Sequence, residues 1–267
     1  MAPHRLAAEA MATRFELVLD GADDVAVRAA GEAALLAVED TDAELSRFRS
    51  DSFASRLARS GPEDPVPLDA ERFALLVLCD DVREATGGAF DLCHLGPGRL
   101  VLDRERRRAH VDAPGTTVDF GAVGKGVALD RAALELRDAG IAVALLHGGT
   151  STVVALGAPP GRTGFGVRVA LPGGGGHDVS LTDAALSVSA QHGQDRLPGG
   201  GHVVDARRGG RAVSALLPTD VVAVTAPTAT LADLWSTALL AHGPTDDLLR
   251  RALACGVRPI PLPKSPR

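Results

Sequence analysis

The rhythm of apolar and polar positions changes several times along the chain, and each change predicts an element. Residues 11–19 alternate as a half-buried strand does, and 26–48 then carry helical spacing with abundant Ala and Leu. A second helical stretch covers 69–85, followed by short β-like segments at 99–102 and 109–111. Apolar spacing predicts another helix over 127–136, directly after a β-like run that ends in Gly121-Ala122-Val123-Gly124-Lys125-Gly126. Strand candidates come next at 142–146, 152–156, 164–170, 179–181, 185–189 and 220–226. Gly-rich tips at 172–177 and 198–202 separate some of them and read as hairpin turns rather than as an internal repeat. Two helices, 229–242 and 245–255, close the chain. Helices and strands interleave without a regular βαβ beat, which predicts an α+β (mixed α/β) architecture with an extensive antiparallel component.

Composition narrows the classes of partner. With 267 residues and 45% hydrophobic content the chain can bury a full core, as one large domain or two intimately joined lobes. A net charge of −6 and a pI near 5.7 give no general attraction to nucleic acid or to an anionic membrane. The Arg104-Glu105-Arg106-Arg107-Arg108 cluster alternates with acid and reads as solvated strand ends. Cys79, Cys93 and Cys255 are odd in number and widely spaced, which argues against a disulfide framework or a structural zinc site. No long apolar span predicts membrane insertion, and residues 1–5 lead into Ala-rich and charged sequence without a signal-peptide core, so the expected location is cytoplasmic.

Against this background four stretches carry candidate chemistry. The only lysines in an otherwise Arg-based chain are Lys125 and Lys264, the latter in a Pro-rich tail. Lys125 stands between two glycines at a strand-to-helix junction, where backbone N–H groups and the helix dipole favour an anion; a tight turn with a solvated Lys satisfies the same spacing. Asp233 and Thr237 lie four apart on one helical face, and two hard oxygens there suit Mg²⁺. Thr230 and Asp233 also resemble a capping arrangement at a helix start. In Thr86-Gly87-Gly88-Ala89-Phe90-Asp91 the glycines read as a helix C-cap, after which an aromatic and an acid stand at a turn. Finally, His202 and Asp205 flank two apolar residues, either as a structural strand edge or as a base and its partner.

The order of these stretches resembles the ApbE family, the FAD:protein FMN transferases, along nearly the whole chain. Met11-Ala12-Thr13 stands where the family has Met-Gly-Thr, and Leu45-Ser46-Arg47-Phe48 where it has Leu-Ser-x-aromatic. Gly88-Ala89-Phe90-Asp91 matches Gly-Ala-Phe-Asp, and residues 119–126 resemble Asp-Leu-Gly-Gly-x-Ala-Lys-Gly, with Gly148-Gly149 following. His202-Val203-Val204-Asp205 is similar to His-Ile-Ile-Asp, and residues 232–238 to Ala-Asp-Ala-x-Ser-Thr-Ala.

The resemblance implies an ApbE-like fold spanning 1–267 as one flavin transferase domain, with two packed lobes of antiparallel-rich sheet flanked by helices. It implies FAD as substrate, with flavin and adenine contacts at Met11, Phe48, Ala89, Phe90, Asp91, Asp119 and Lys125. It implies Mg²⁺ held by Asp233, Thr237 and the Ala122 carbonyl, and His202 as the base for an incoming hydroxyl. The catalytic set is then His202, Lys125 and Asp233. The implied reaction moves FMN to a Thr or Ser hydroxyl of an acceptor flavoprotein and releases AMP. The chain departs from the family pattern at Thr150, Val188, Ala190 and Ala206, and in having Gly124 for Ala and Phe48 where Tyr is frequent. Two alternatives share these residues: an Mg²⁺-dependent FAD pyrophosphatase, and a non-catalytic FAD-binding protein.

Overall fold

The structure, a computed structural model, describes residues 3–171, 174–190, 203–208 and 221–262. A hairpin of β1 (His4–Ala10) and β2 (Thr13–Leu19) leads into the helices α1 (Asp24–Leu45) and α2 (Phe53–Arg59). Next come β3 (Val66–Pro67), α3 (Ala70–Ala85), β4 (Leu100–Asp103) and β5 (Arg108–Val111). The helix α4 (Gly124–Asp138) precedes β6 (Ala144–Gly148), β7 (Thr152–Leu156), β8 (Phe165–Ala170), β9 (Gly176–Leu181) and β10 (Ala184–Ala190). After a 3₁₀ turn at Ala206–Arg208 the described chain ends with β11 (Val221–Ala226), α5 (Ala229–His242), α6 (Asp246–Ala254) and β12 (Arg258–Pro259).

Seven strands form one sheet in the order β1-β2-β6-β7-β10-β11-β12, with every neighbouring pair antiparallel. Alternation along β2 turns Phe15, Leu17 and Leu19 into the core while Arg14 and Glu16 stay exposed. Three helices cover that face: α1 packs along α4 and β1, α4 reaches β6 and β7, and α5 lies on β10 and β11. Residues of the opposite parity, Val153, Ala155, Leu186 and Ala223, pack with Val169 and Leu181 of the separate β8–β9 hairpin. Both faces of β7 are therefore covered, which is why Thr152-Val153-Val154-Ala155-Leu156 is buried throughout instead of alternating. A small β3-β5-β4 sheet stands beside these layers.

The mixed, antiparallel-rich architecture agrees with the sequence expectation, and β7 and α5 fall at the predicted limits. The predicted helix over 26–48 stops at Leu45, where Ser46 takes an extended conformation. Phe48 therefore lies outside it, 82% exposed. The helix predicted from residue 127 begins at Gly124, which moves Lys125 from a loop into a first helical turn. Strand β1 escaped prediction because small Ala8 and Ala10 carry its buried parity, and alanine is a weak strand signal. The short elements α2, β3 and β12 carry too few residues for a period to register. The tip at 198–202 lies outside the described residues, and so does Lys264.

Candidate active site

Two helix N-termini meet at the centre of the candidate site. Gly126, in the first turn of α4, lies so close to α5 that a Cβ there would stand 2.6 Å from the Ala229 carbonyl carbon and 2.7 Å from the Thr230 nitrogen. The first N–H groups of any helix lack intrahelical acceptors. Here each helix supplies them to the other. Gly126 N donates to Asp233 Oδ2 of α5 at 2.7 Å, while Ala229 N and Thr230 N of α5 donate to Asp130 of α4, both at 2.8 Å. Thr230 Oγ1 adds a 2.6 Å bond to Asp130 Oδ2.

This arrangement overturns the capping alternative for Asp233. The residue that caps α5 through its side chain is Thr228, which accepts from Leu231 N, and Asp233 sits more than one turn inside the helix. Its carboxylate is buried, with Thr152 Oγ1 donating to Oδ1 at 2.7 Å. Burial pushes its pKa up, opposed first by the Lys125 charge and then by bonds from Ser187, Thr152 and Gly126. Burial likewise raises the pKa of Asp130, with the three donors of α5 opposing and Asp233 itself adding repulsion. Two carboxylates are thus held in one small volume by helix N-termini and a single ammonium group.

Lys125 is half-buried, and the turn that delivers it is fixed from below. Phe120 is buried and stacks on Phe53 at 6.1 Å between ring centroids, and Asp119 Oδ1 accepts from Gly121 N at 2.8 Å. Asp119 also joins two of the other motifs: Arg47 Nε lies 3.3 Å and His94 Nε2 4.0 Å from its Oδ2, and its N–H donates to the Leu92 carbonyl. The Arg47 guanidinium covers the Phe48 ring at 4.2 Å. Asp91 accepts from Cys93 N, and its carbonyl is 3.1 Å from His94 Nδ1.

The remaining candidates fall into place around this turn. Thr86 ends α3, and the positive φ of Gly87 and Gly88 bears out the C-cap reading. Ala89 and Phe90 are buried; the Ala89 carbonyl accepts from Ala206 N, which ties the 86–91 turn to the Asp205 segment. Asp205 is buried and receives the Arg207 guanidinium at 2.9 and 2.6 Å. His202 lies outside the described residues. Met11 and Ala12 form the β1–β2 turn with φ of 51° and 55°, a conformation that ordinarily selects Asn-Gly. A Cβ on Gly124 would sit 3.6 Å from Met11 Sδ, so this strained turn rests on the start of α4.

Asp233 and Thr237 have the donor chemistry that suits a hard dication, and the Ala122 carbonyl expected with them belongs to the turn before α4. The two Asp233 oxygens accept from Thr152, Gly126 and Ser187 and still retain lone-pair capacity, and Thr237 follows one turn later on α5. Among the described residues no three His, Cys, Asp or Glu side chains converge, so a cation beside Asp233 would have few protein ligands. That is the sparse set expected where substrate phosphates and water complete an Mg²⁺ octahedron. A recess of about 330 Å³ nearby, lined by Leu45, Leu75, Leu78 and Leu134, contains none of the candidate flavin contacts. Its Arg72 and Arg131 are already paired with Glu44 and Glu71.

Sequence reasoning missed Asp130, Thr152, Arg47 and His94. Asp130 carried a usable signal, since it follows Gly126 by one helical turn and so shares its face. The others reach the site only through tertiary contacts.

A fold of this kind, with two helix N-termini presenting one ammonium group and hard oxygens, defines a candidate site for an anionic phosphate ester and a metal. The model of the ApbE family matches residues 11–255, and the chain belongs to that family. Its fold is similar to that of the ApbE protein from Thermotoga maritima, with a TM-score of 0.81 at 21% identity over 96% of this chain and 93% of that one. It is similar to flavin transferase ApbE from Vibrio cholerae, with a TM-score of 0.76 at 18% identity over 96% and 91% of the two chains. For Pseudomonas stutzeri flavinyl transferase ApbE in its apo form the TM-score is 0.72 at 22% identity, over 96% and 89%. Comparison with curated proteins gives no match.

Proposed function

We propose that this protein transfers the FMN moiety of FAD to a Thr or Ser hydroxyl of an acceptor flavoprotein and releases AMP. Membership of the ApbE family supports the reading, as do the names flavin transferase and flavinyl transferase carried by the similar Vibrio cholerae and Pseudomonas stutzeri proteins. The observation that carries it is the cross-bonded pair of helix ends, which holds the buried Asp233 carboxylate within reach of the Lys125 charge, with Thr237 one turn further along α5.

The acceptor oxygen attacks the FMN-side phosphorus. A new O–P bond forms as the bridging P–O bond breaks, and the electron pair leaves on AMP. The hydroxyl proton passes to a base, assigned to His202. Lys125 offsets charge on the non-bridging oxygens. Met11, Phe48, Ala89, Phe90, Asp91 and Asp119 frame the flavin and adenine, Asp119 keeping the Arg47 and Phe48 segment against the Lys125 turn. Asp233, Thr237 and the Ala122 carbonyl would hold Mg²⁺, which would supply Lewis-acid neutralisation of the pyrophosphate.

A cytoplasmic setting belongs to the same proposal. It accords with the free thiols Cys79, Cys93 and Cys255, and no helix among the described residues is long and apolar enough to cross a membrane.

The test is to incubate the chain with FAD, with and without Mg²⁺ and a candidate acceptor, and to quantify AMP and FMN. AMP that appears with protein-bound flavin only when acceptor is present supports transfer. Equal free AMP and FMN without acceptor means hydrolysis, and bound FAD with neither product means a non-catalytic binder. Loss of transfer in His202→Gln with FAD binding intact supports the assigned base; full transfer removes it.

A further inference from the structure

Beside Asp233 lies a run of hydroxyl groups to which the proposed chemistry gives no task. Ser236 Oγ donates to the Asp233 backbone carbonyl at 3.1 Å. Ser187 Oγ and Ser189 Oγ lie 3.1 and 2.9 Å from Ser236 Oγ, and Ser189 Oγ lies 3.2 Å from Thr237 Oγ1. Ser187 and Ser236 are buried and Ser189 is half-buried.

Proton bookkeeping orders the run. Each hydroxyl has one proton to give, and a carbonyl oxygen only accepts. Ser236 gives its proton to the Asp233 carbonyl, so the Ser189 contact needs Ser189 as donor. Ser189 then has no proton left, and the Thr237 contact needs Thr237 as donor. Ser187 spends its own proton on ionised Asp233, so it can only accept at its contact with Ser236; whether Ser236 gives its proton to the Asp233 carbonyl or to Ser187, Ser189 remains the donor to Ser236 and the order stands. The direction is therefore Thr237 to Ser189 to Ser236 to carbonyl, and hydrogen bonds in such a chain polarise one another. With its proton drawn toward β10, Thr237 Oγ1 is left with lone pairs for a cation.

We propose that Ser189 and Ser236 are positioning residues that orient the Thr237 hydroxyl as a proton-free ligand face for the divalent cation beside Asp233. The proposal rests on the reading of Asp233 and Thr237 as metal ligands. Without Ser236, Ser189 turns its proton onto Thr237, and the Thr237 proton swings into the space the cation needs. Ser189→Thr keeps the relay; Ser189→Val has the same shape as Thr without the hydroxyl and breaks it.

The experiment is binding of Mn²⁺ alone, read by the electron paramagnetic resonance of the free ion, to the full chain and its variants. Circular dichroism and thermal melting accompany each variant. Ser189→Val and Ser236→Ala are expected to weaken Mn²⁺ binding about tenfold, the usual scale for a residue that orients a metal ligand. Ser189→Thr is expected to bind as wild type, an outcome that a purely steric role for Ser189 does not give, since Val and Thr fill the same space. Wild-type affinity in both Ser189→Val and Ser236→Ala, with binding lost in Asp233→Ala, overturns the relay alone. Wild-type affinity in Asp233→Ala overturns the metal-site reading and the relay with it.

Discussion

Gly126→Ala is the sharpest test of the paired helix ends. The added Cβ would stand 2.6 Å from the Ala229 carbonyl carbon and closer still to its oxygen, and both are backbone atoms that no rotamer change can move. Ordinary carbon contacts begin near about 3.5 Å, so α4 and α5 must part by about 1 Å. The bond from Gly126 N to Asp233 Oδ2, now 2.7 Å, then stretches beyond useful length. Losing a hydrogen bond to a buried carboxylate costs about 1.5 to 3 kcal/mol, and overpacking a tight contact about 1 to 3 kcal/mol. The better helix propensity of Ala returns about 1 kcal/mol. The net destabilisation is about 1.5 to 5 kcal/mol, which at about 2 °C per kcal/mol for a chain of this size lowers Tm by about 3 to 10 °C. Gly61, with open space where its Cβ would be, provides the control substitution. Thermal melts and AMP release from FAD are measured on both variants. A Gly126→Ala protein that melts and turns over as wild type does, within a degree and within twofold or so, refutes the contact and the site built on it.

Four further outcomes follow from the geometry. Asp233→Asn should abolish FAD turnover and lower the Tm of the metal-free protein, since Asn has only one oxygen for the bonds from Thr152 and Gly126, but by less at pH 7 than at pH 4. The folded-state pKa of Asp233 is raised, so an ionised Asp233 costs the wild type stability increasingly as pH climbs above the ordinary value of 3.8, while the cost of Asn does not change with pH; a Tm gap that widens from pH 4 to 7 would contradict this. Asp130→Ala strands the N–H groups of Ala229 and Thr230 and should lower stability by about 1 to 3 kcal/mol in urea unfolding, where an unchanged midpoint would refute the cross-bonding. Ala12→Gly should stabilise by about 1 kcal/mol in the same assay, because φ of 55° burdens any residue with a Cβ. Thiol titration at pH 8 should modify exposed Cys255 alone, burial having pushed the Cys79 and Cys93 thiols up to about 12; rapid labelling of all three in the native protein would contradict this.

What the sequence disclosed, and what it withheld, follows from the range of the forces involved. Periodicity reports burial of a face, and so the long elements were legible: α5 falls at the predicted limits, and α3 follows Asp69, which stands at its N-cap. Candidate site residues could be picked out where two share one helical face, as Asp233 and Thr237 do on α5. Thr152 could not be read, because its role exists only through a bond to a residue 81 positions away. The Thr230 and Asp233 spacing misled for a related reason: it satisfies a local rule, while a tertiary contact with Gly126 takes the carboxylate elsewhere.

The bond between Gly126 and Asp233 spans 107 positions of chain. During synthesis at about 5 to 20 residues per second, Gly126 waits several seconds to some twenty for its partner to emerge. Until then α4 has an open end, the first turn has no carboxylate, and Lys125 has no counter-charge from α5. A chain stopped before α5 has the residues to pair β1 with β2 and lay α1 on them, yet its Gly126 N–H lacks the Asp233 carboxylate. On the proposed reading, competence to handle FAD waits for α5, and a chain stopped short of Asp233 should show no turnover.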